Sequence, residues 1–240
     1  NTVSAQLVAQ MGVDSVIDTM RKLGIRSTLP HSLSLALGTA DLTLEEVAYG
    51  LATFPAGGEL VTPVFITKLT DAEGKILEQH DDHAVRPRKL TPETAYVVTD
   101  LMKGVVEIGT AKKARELGRP AAGKTGTSTN YRDAWFFGFT PDLLCGVWVG
   151  RDDFKPVAHD ATGGQVALPI WLSYMKEAER GLPVRDFAVP PGVVFARADP
   201  DKGVPASPNK PGSRLTPFRR GTLPPAFNTA AGARFTDEAF

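Results

Sequence analysis

The chain is poor in cysteine, in charge asymmetry and in long apolar runs, and each shortage closes off a class of function. One cysteine, Cys145, is present in 240 residues, so no disulfide can form within the chain. Its place in the apolar run 143–149 reads as a small buried hydrophobe. Lys plus Arg and Asp plus Glu number 27 each, for a formal net charge of zero. That balance points to neither nucleic acid nor an anionic membrane surface, and any charged partner must be met locally. No apolar run approaches the roughly 18 residues of a spanning helix, and no basic-then-apolar leader opens the chain. The first residues are Asn1-Thr2-Val3 rather than methionine, which reads as a cut end. Two histidines, His80 and His83, share a polar stretch with no cysteine near them, and are read as solvated rather than metal-binding. No metal and no cofactor are expected.

What is present suffices for a globular body, since 42% of residues are hydrophobic and the length allows one large domain or a domain with an appendage. Val3, Leu7, Val8 and Met11 recur at helical spacing up to Gly12. Val16, Ile17, Met20 and Leu23 repeat the pattern, with Asp14 or Ser15 as N-cap and Gly24 as the stop. Residues 26–41 read as loop. Thr43 and Glu46 form a capping box for a helix ending at the Phe54-Pro55-Ala56-Gly57-Gly58 turn. Residues 64–69 and 75–77 flank Asp71-Ala72-Glu73-Gly74, good hairpin chemistry, and 80–88 reads as linker. Thr91 as N-cap and Pro92 at the first helical position open the longest helix, to Gly109. A basic helical piece follows and stops at Gly118. Three extended segments, 121–128, 133–140 and 143–151, are joined by short turns and predict an antiparallel meander. The apolar second and third strands are expected to be covered on both faces. A last helix carries Leu168, Trp171, Leu172, Met175 and Ala178 on one face. Beyond Leu182 lie ten of the nineteen prolines; a brief extended piece at 193–196 and a largely unstructured Pro-rich tail over 183–240 are expected there.

The chemistry concentrates around Gly123-Lys124-Thr125-Gly126-Thr127. Gly118 to Thr125 matches the phosphate-loop pattern G-x-x-x-x-G-K-[ST] letter for letter, but that loop needs an apolar strand before it and a helix after it. Here a charged helical piece precedes and a β-pattern follows, so nucleotide binding stays a remote alternative. Lys-Thr-Gly within a strand suits another task. Glycine leaves the backbone open to a docked peptide, lysine brings positive charge to an oxyanion or carboxylate, and a threonine hydroxyl can donate to a carboxylate. For an isolated Lys-Thr-Gly, a polar turn before a strand is the better reading.

The flanks decide between these. Gly123 to Thr127, then Tyr131-Arg132-Asp133-Ala134-Trp135-Phe136, Gly138-Phe139-Thr140-Pro141 and Gly146-Val147-Trp148-Val149-Gly150-Arg151-Asp152-Asp153 together resemble the transpeptidase domain of class A penicillin-binding proteins. Leu35-Ala36-Leu37-Gly38-Thr39, Thr43-Leu44-Glu45-Glu46, the 54–58 turn, Thr162-Gly163-Gly164 and Pro169-Ile170-Trp171 extend the resemblance to about residues 1–192. It implies an α/β fold of α+β type, an antiparallel sheet flanked by helices as in β-lactamases, with residues 1–182 as the C-terminal portion of the domain. It also implies a serine-type D,D-transpeptidase that cross-links peptidoglycan through an acyl-serine. Its partners would be D-Ala-D-Ala stem peptides and β-lactams, on the extracytoplasmic side of a bacterial inner membrane, with the parent protein anchored by a segment not in this chain.

By the resemblance, Lys124 handles charge and protons. Thr127 receives the substrate carboxylate by its hydroxyl and the oxyanion by its amide, while Thr125, Gly126, Ser128 and Thr129 form the docking edge. The family's order is Ser-x-x-Lys, Ser-x-Asn, Lys-Thr-Gly. Here Ser-x-x-Lys occurs only at Ser173 and Ser207, both after Lys124 and both read as chance, and Ser128-Thr129-Asn130 merely runs on from the third motif. Asn1-Thr2-Val3 resembles the end of the true Ser-x-Asn, which assigns Asn1 to the catalytic set. The nucleophile-bearing half, an N-terminal partner to this one, is expected to lie outside the chain, so the fragment alone should be inactive. A non-catalytic wall-binding or β-lactam-sensing domain would keep the same fold.

Overall fold

A computed structural model describes residues 1–80, 86–199 and 202–228. The chain divides into two compact units, Asn1–Lys89 and Leu90–Phe240.

In the first unit, helices α1 (Thr2–Met11) and α2 (Val13–Lys22) meet at Gly12, whose φ of 84° ends one helix and starts the next. The expected cap at Asp14 or Ser15 is thus displaced to Gly12, because one residue in a conformation cheap only for glycine makes the whole corner. Val13, Val16, Ile17 and Met20 pack on buried Ile25, Leu29 and Leu35. Residues 26–41 are not all loop: Leu33–Leu37 forms a 3₁₀ turn capped by Ser32 and closed by Gly38 at φ 79°. Helix α3 (Leu44–Ala52) carries the expected Thr43/Glu46 capping box. Glu46 also accepts from the amides of Arg26 at 2.6 Å and Ser27 at 2.8 Å and from the Ser27 hydroxyl at 2.5 Å. The Ser27 hydroxyl foremost, with these amides, holds its carboxyl down to about 2. A hairpin follows, β1 (Lys68–Thr70) against β2 (Ile76–Gln79). Asp71 Oδ1 accepts from the amides of Glu73 and Lys75, and Gly74 sits at φ 84°. The first strand is shorter than expected, residues 64–67 lying outside the ladder. His80 meets Glu78 at 2.9 Å; His83 lies outside the described residues.

The second unit opens with α4 (Pro92–Glu107), its Thr91 cap and first-turn proline as expected. Ala95, Thr99, Met102 and Val106 form its buried face. A 3₁₀ turn, Lys112–Leu117, closes at Gly118 in the left-handed conformation. The chain then enters strand β3 (Ala122–Thr127), which pairs antiparallel with β4 (Asp133–Phe139), itself paired with β5 (Leu144–Gly150). The meander is therefore as the sequence predicts, in the order β3-β4-β5. Helix α5 (Leu168–Ala178), entered through a π turn at Gly163–Ala167, covers one face of this sheet. Trp171 is fully buried there, edge-on to Phe136 at 5.1 Å between centroids, and its Nε1 donates to Gly138 O at 3.0 Å. Cover on both faces holds only for β4. Residues of β5 are mostly half-buried and Trp148 is 43% exposed.

The tail departs most from expectation. Val193–Ala198 (β6) pairs with Arg214–Arg219 (β7), and a short helix, Pro225–Asn228, follows. Arg214 binds Asp100 of α4 at 2.6 Å, Phe195 meets Tyr96 edge-on, and Arg219 donates to Thr94 Oγ1. Burial lifts the Asp100 carboxyl and Arg214 opposes it, while burial and the Asp100 charge push the Tyr96 phenol up to about 12. Proline content suggested an unstructured segment, yet Pro217 stands within β7, paired with Phe195 on its single partner strand, where a missing amide proton is tolerated. Residues 229–240 lie outside the described residues. A buried knot closes the unit: Glu179 accepts from Thr140 Oγ1 and lies 3.4 Å from Arg119 Nε, while Arg119 donates to Glu179 O at 3.1 Å.

Candidate active site

Strand β3 is an edge strand among those described, paired with β4 alone, so its outer backbone is available to an extended ligand. This disposes of the phosphate loop: Gly118 leads into a strand rather than a helix, and Lys124 stands in mid-strand. Alternation then sorts the side chains. Lys124 is in register with Phe137 and Gly126 with Trp135, and paired residues share a face. That face carries an aromatic group, Trp135 stacked on Phe137 at 5.8 Å and tilted against Trp148 at 6.0 Å. Gly126 keeps this face uncrowded, since a Cβ would stand 3.0 Å from Trp135 Cβ.

Lys124 Nζ donates to Thr125 O at 2.7 Å, leaving two of its three protons for a ligand. The residue is exposed overall, yet partial burial around its ammonium pushes it below the ordinary lysine value. A lysine so placed supplies charge and gives up a proton more readily than a solvated one.

Thr125 and Thr127 point to the other face. The Thr125 hydroxyl lies 2.8 Å from that of Thr110, in the loop after α4. Thr127 Oγ1 accepts from Gly163 N at 3.1 Å. Ser128 Oγ accepts from Asp133 N at 2.8 Å, closing the connection to β4. Thr129 begins a tight turn in which Asn130 and Tyr131 both adopt positive φ, 61° and 55°. Six of the sequence-selected residues, Lys124, Thr125, Gly126, Thr127, Ser128 and Thr129, therefore follow one another along β3 and its exit. Asn1 belongs to the first unit, as the N-cap of α1 with no side-chain cap bond.

The serines of the two late Ser-x-x-Lys matches lie elsewhere. Ser173 is on the exposed side of α5. Ser207 Oγ accepts from Asn209 N, and the lysine of its motif, Lys210, is paired with Asp199. Sequence reasoning gave no role to Thr110, Gly163 or Gly164. The signal that could have found the glycines was the Thr162-Gly163-Gly164 run itself; Thr110 had none.

An antiparallel sheet with one face under a helix thus carries a mid-strand Lys-Thr-Gly on its edge. Residues 1–170 match the family model described as the penicillin binding protein transpeptidase domain, and the chain belongs to that family. Penicillin-binding protein 1A of Aquifex aeolicus is 37% identical over 226 residues, covering 93% of this chain and 30% of that protein. The same-named protein of Neisseria lactamica is 38% identical over 204 residues, 83% of this chain and 26% of that one. Among solved structures, penicillin-binding protein 1A from Haemophilus influenzae superposes with a TM-score of 0.82 at 26% identity, over 93% of this chain and 39% of its own. PonA1 from Mycobacterium tuberculosis gives 0.68 at 26% identity, over 78% and 55%. The chain spans between about a quarter and a third of the length of the curated relatives it matches.

Proposed function

We propose that this chain builds one wall of a D,D-transpeptidase site. The nucleophilic serine is supplied by a segment outside the 240 residues. The observation that carries the reading is the edge strand itself: Lys124 and Gly126 on one face and Thr125 and Thr127 on the other stand on a strand with one unpaired side among the described strands. Two solved relatives, both at 26% identity, support the reading: PonA1 in complex with penicillin V supports β-lactam binding, and a penicillin-binding protein A described as an imipenem acyl-enzyme complex supports covalent chemistry. In the proposed reaction the serine oxygen bonds to the carbonyl carbon of the penultimate D-Ala and the peptide C–N bond breaks. The serine proton leaves with the terminal D-Ala amine. An acceptor amine then attacks the ester; its C–N bond forms, the C–O bond breaks, and one amine proton returns to the serine oxygen.

Lys124 offers positive charge next to the nucleophile and, with its lowered proton affinity, a relay for that proton. Thr127 offers a hydroxyl to the terminal carboxylate and an amide to the oxyanion, Thr125, Gly126, Ser128 and Thr129 line the docked peptide, and Asn1 keeps the catalytic assignment that its likeness to the end of a Ser-x-Asn motif implies. The parent protein acts outside the cytoplasmic membrane, where peptidoglycan is. Among the described residues no helix is long and apolar enough to cross a membrane.

The test is labelling with a fluorescent penicillin, read by mass spectrometry. The intact protein should carry one covalent adduct, Lys124→Met should slow its formation by roughly a hundredfold or more, and the 240-residue chain alone should carry none. An adduct mapped to Ser173 or Ser207 would refute an external nucleophile, and an unlabelled intact protein would refute the transpeptidase reading.

A further inference from the structure

The Thr162-Gly163-Gly164 turn starts the π turn before α5, and it also reaches the strand that carries Lys124. Gly163 N donates to Thr127 Oγ1 at 3.1 Å across 36 residues of sequence. A Cβ at Gly163 would stand 2.1 Å from Trp135 O and 2.6 Å from Gly126 O, so only glycine permits the approach that makes this bond. The turn is held by a capping box, with Thr162 N and Oγ1 both donating to Gln165 Oε1, at 3.4 and 3.2 Å. Behind it a Cβ at Gly164 would meet Thr110 O at 3.0 Å, and Thr110 in turn holds the Thr125 hydroxyl.

A threonine hydroxyl has one proton to donate and two lone pairs. At Thr127 one lone pair is filled by the Gly163 amide, and no acceptor among the described residues takes the proton. The hydroxyl rotor must therefore aim its proton away from the turn. Thr127 is exposed at the end of β3, so that proton faces whatever anion docks there. We propose that Gly163 is a positioning residue: its amide fixes the Thr127 hydroxyl as a donor to the carboxylate of an acyl donor lying along β3. This rests on the transpeptidase reading above.

The experiment compares acylation of the intact protein by benzylpenicillin and by its methyl ester, which lacks the anionic carboxylate. Because Gly163→Ala could fail to fold, the main variant places glycolate at position 163, replacing the amide N–H by an ester oxygen without adding bulk. The unmodified protein should prefer the acid. Thr127→Val should cut that preference by about tenfold or more, as expected for losing a hydrogen bond to a charged group. Thr127→Ser should keep it. Glycolate at 163 should lower it in the same direction although Thr127 is intact, and adding Thr127→Val should lower it no further, since the two act as a unit. If glycolate slows both ligands equally, or leaves the preference unchanged while Thr127→Val collapses it, the turn is only structural and the inference fails. If the unmodified protein is not acylated at all, the transpeptidase reading fails first and takes the inference with it.

Discussion

Trp171 and Gly138 offer a test of the packing that holds β3 and its neighbours in place. Trp171 is fully buried, edge-on to Phe136, and bonded to Gly138 O. Gly138 is glycine because a Cβ there would lie 2.7 Å from Trp171 Cε2 and Cζ2 and 2.8 Å from Phe136 Cε1. Trp171→Ala should cost about 3–5 kcal/mol, the transfer term plus the cavity. For a chain of this size that is a fall in Tm of roughly 6–20 °C. Gly138→Ala alone overfills the same contact and should cost about 1–3 kcal/mol. In the Trp171→Ala background the added methyl enters the space the indole has left, so its cost should vanish or change sign, a coupling of at least ~1 kcal/mol. All three tryptophans, Trp135, Trp148 and Trp171, lie in the second unit, so urea unfolding followed by the fluorescence of Trp135 and Trp148 reports that unit in every Trp171→Ala protein. Additive costs within about 0.3 kcal/mol would refute the argument that the indole is what excludes a side chain at 138.

Three further outcomes are expected. Glu46 has a folded pKa of about 2 against an ordinary 4.5, so its contribution is complete above about pH 4.5 and is lost as pH falls toward 2. The protection factors of the Arg26 and Ser27 amides, exchange rates corrected for their intrinsic pH dependence, should fall over that window in the wild type and should already be low and flat with pH in Glu46→Ala. Arg119→Met leaves the Glu179 carboxylate buried without its cation and should cost about 3–5 kcal/mol, whereas Arg119→Met with Glu179→Leu should recover much of that; equal losses in denaturant unfolding would count against a buried ion pair. Arg214→Ala removes the largest influence lowering Asp100, so the Asp100 carboxyl should titrate higher by NMR and limited proteolysis should cut sooner near residues 183–192; an unchanged titration would mean that the bridge is absent in solution.

What the sequence determined is mostly local. The Thr43/Glu46 box, the Thr91-Pro92 start, the Asp71-to-Gly74 turn and the three strands around Lys124 are each set by residues a few positions apart, where periodicity and caps act directly. The Lys-Thr-Gly with its flanks was legible as well, and the strand context that rejected a phosphate loop lay within the next dozen residues. Tertiary structure alone decided the contacts between distant segments. Gly163 reaches Thr127 over 36 residues and Glu179 reaches Thr140 over 39. Arg214 reaches Asp100 over 114, and this last pairing helps fold a proline-rich stretch that composition read as unstructured. Local propensity is a weak prior that a partner surface overrides. No spacing rule announces such partners, because their positions are fixed only once the sheet and its covering helices have packed.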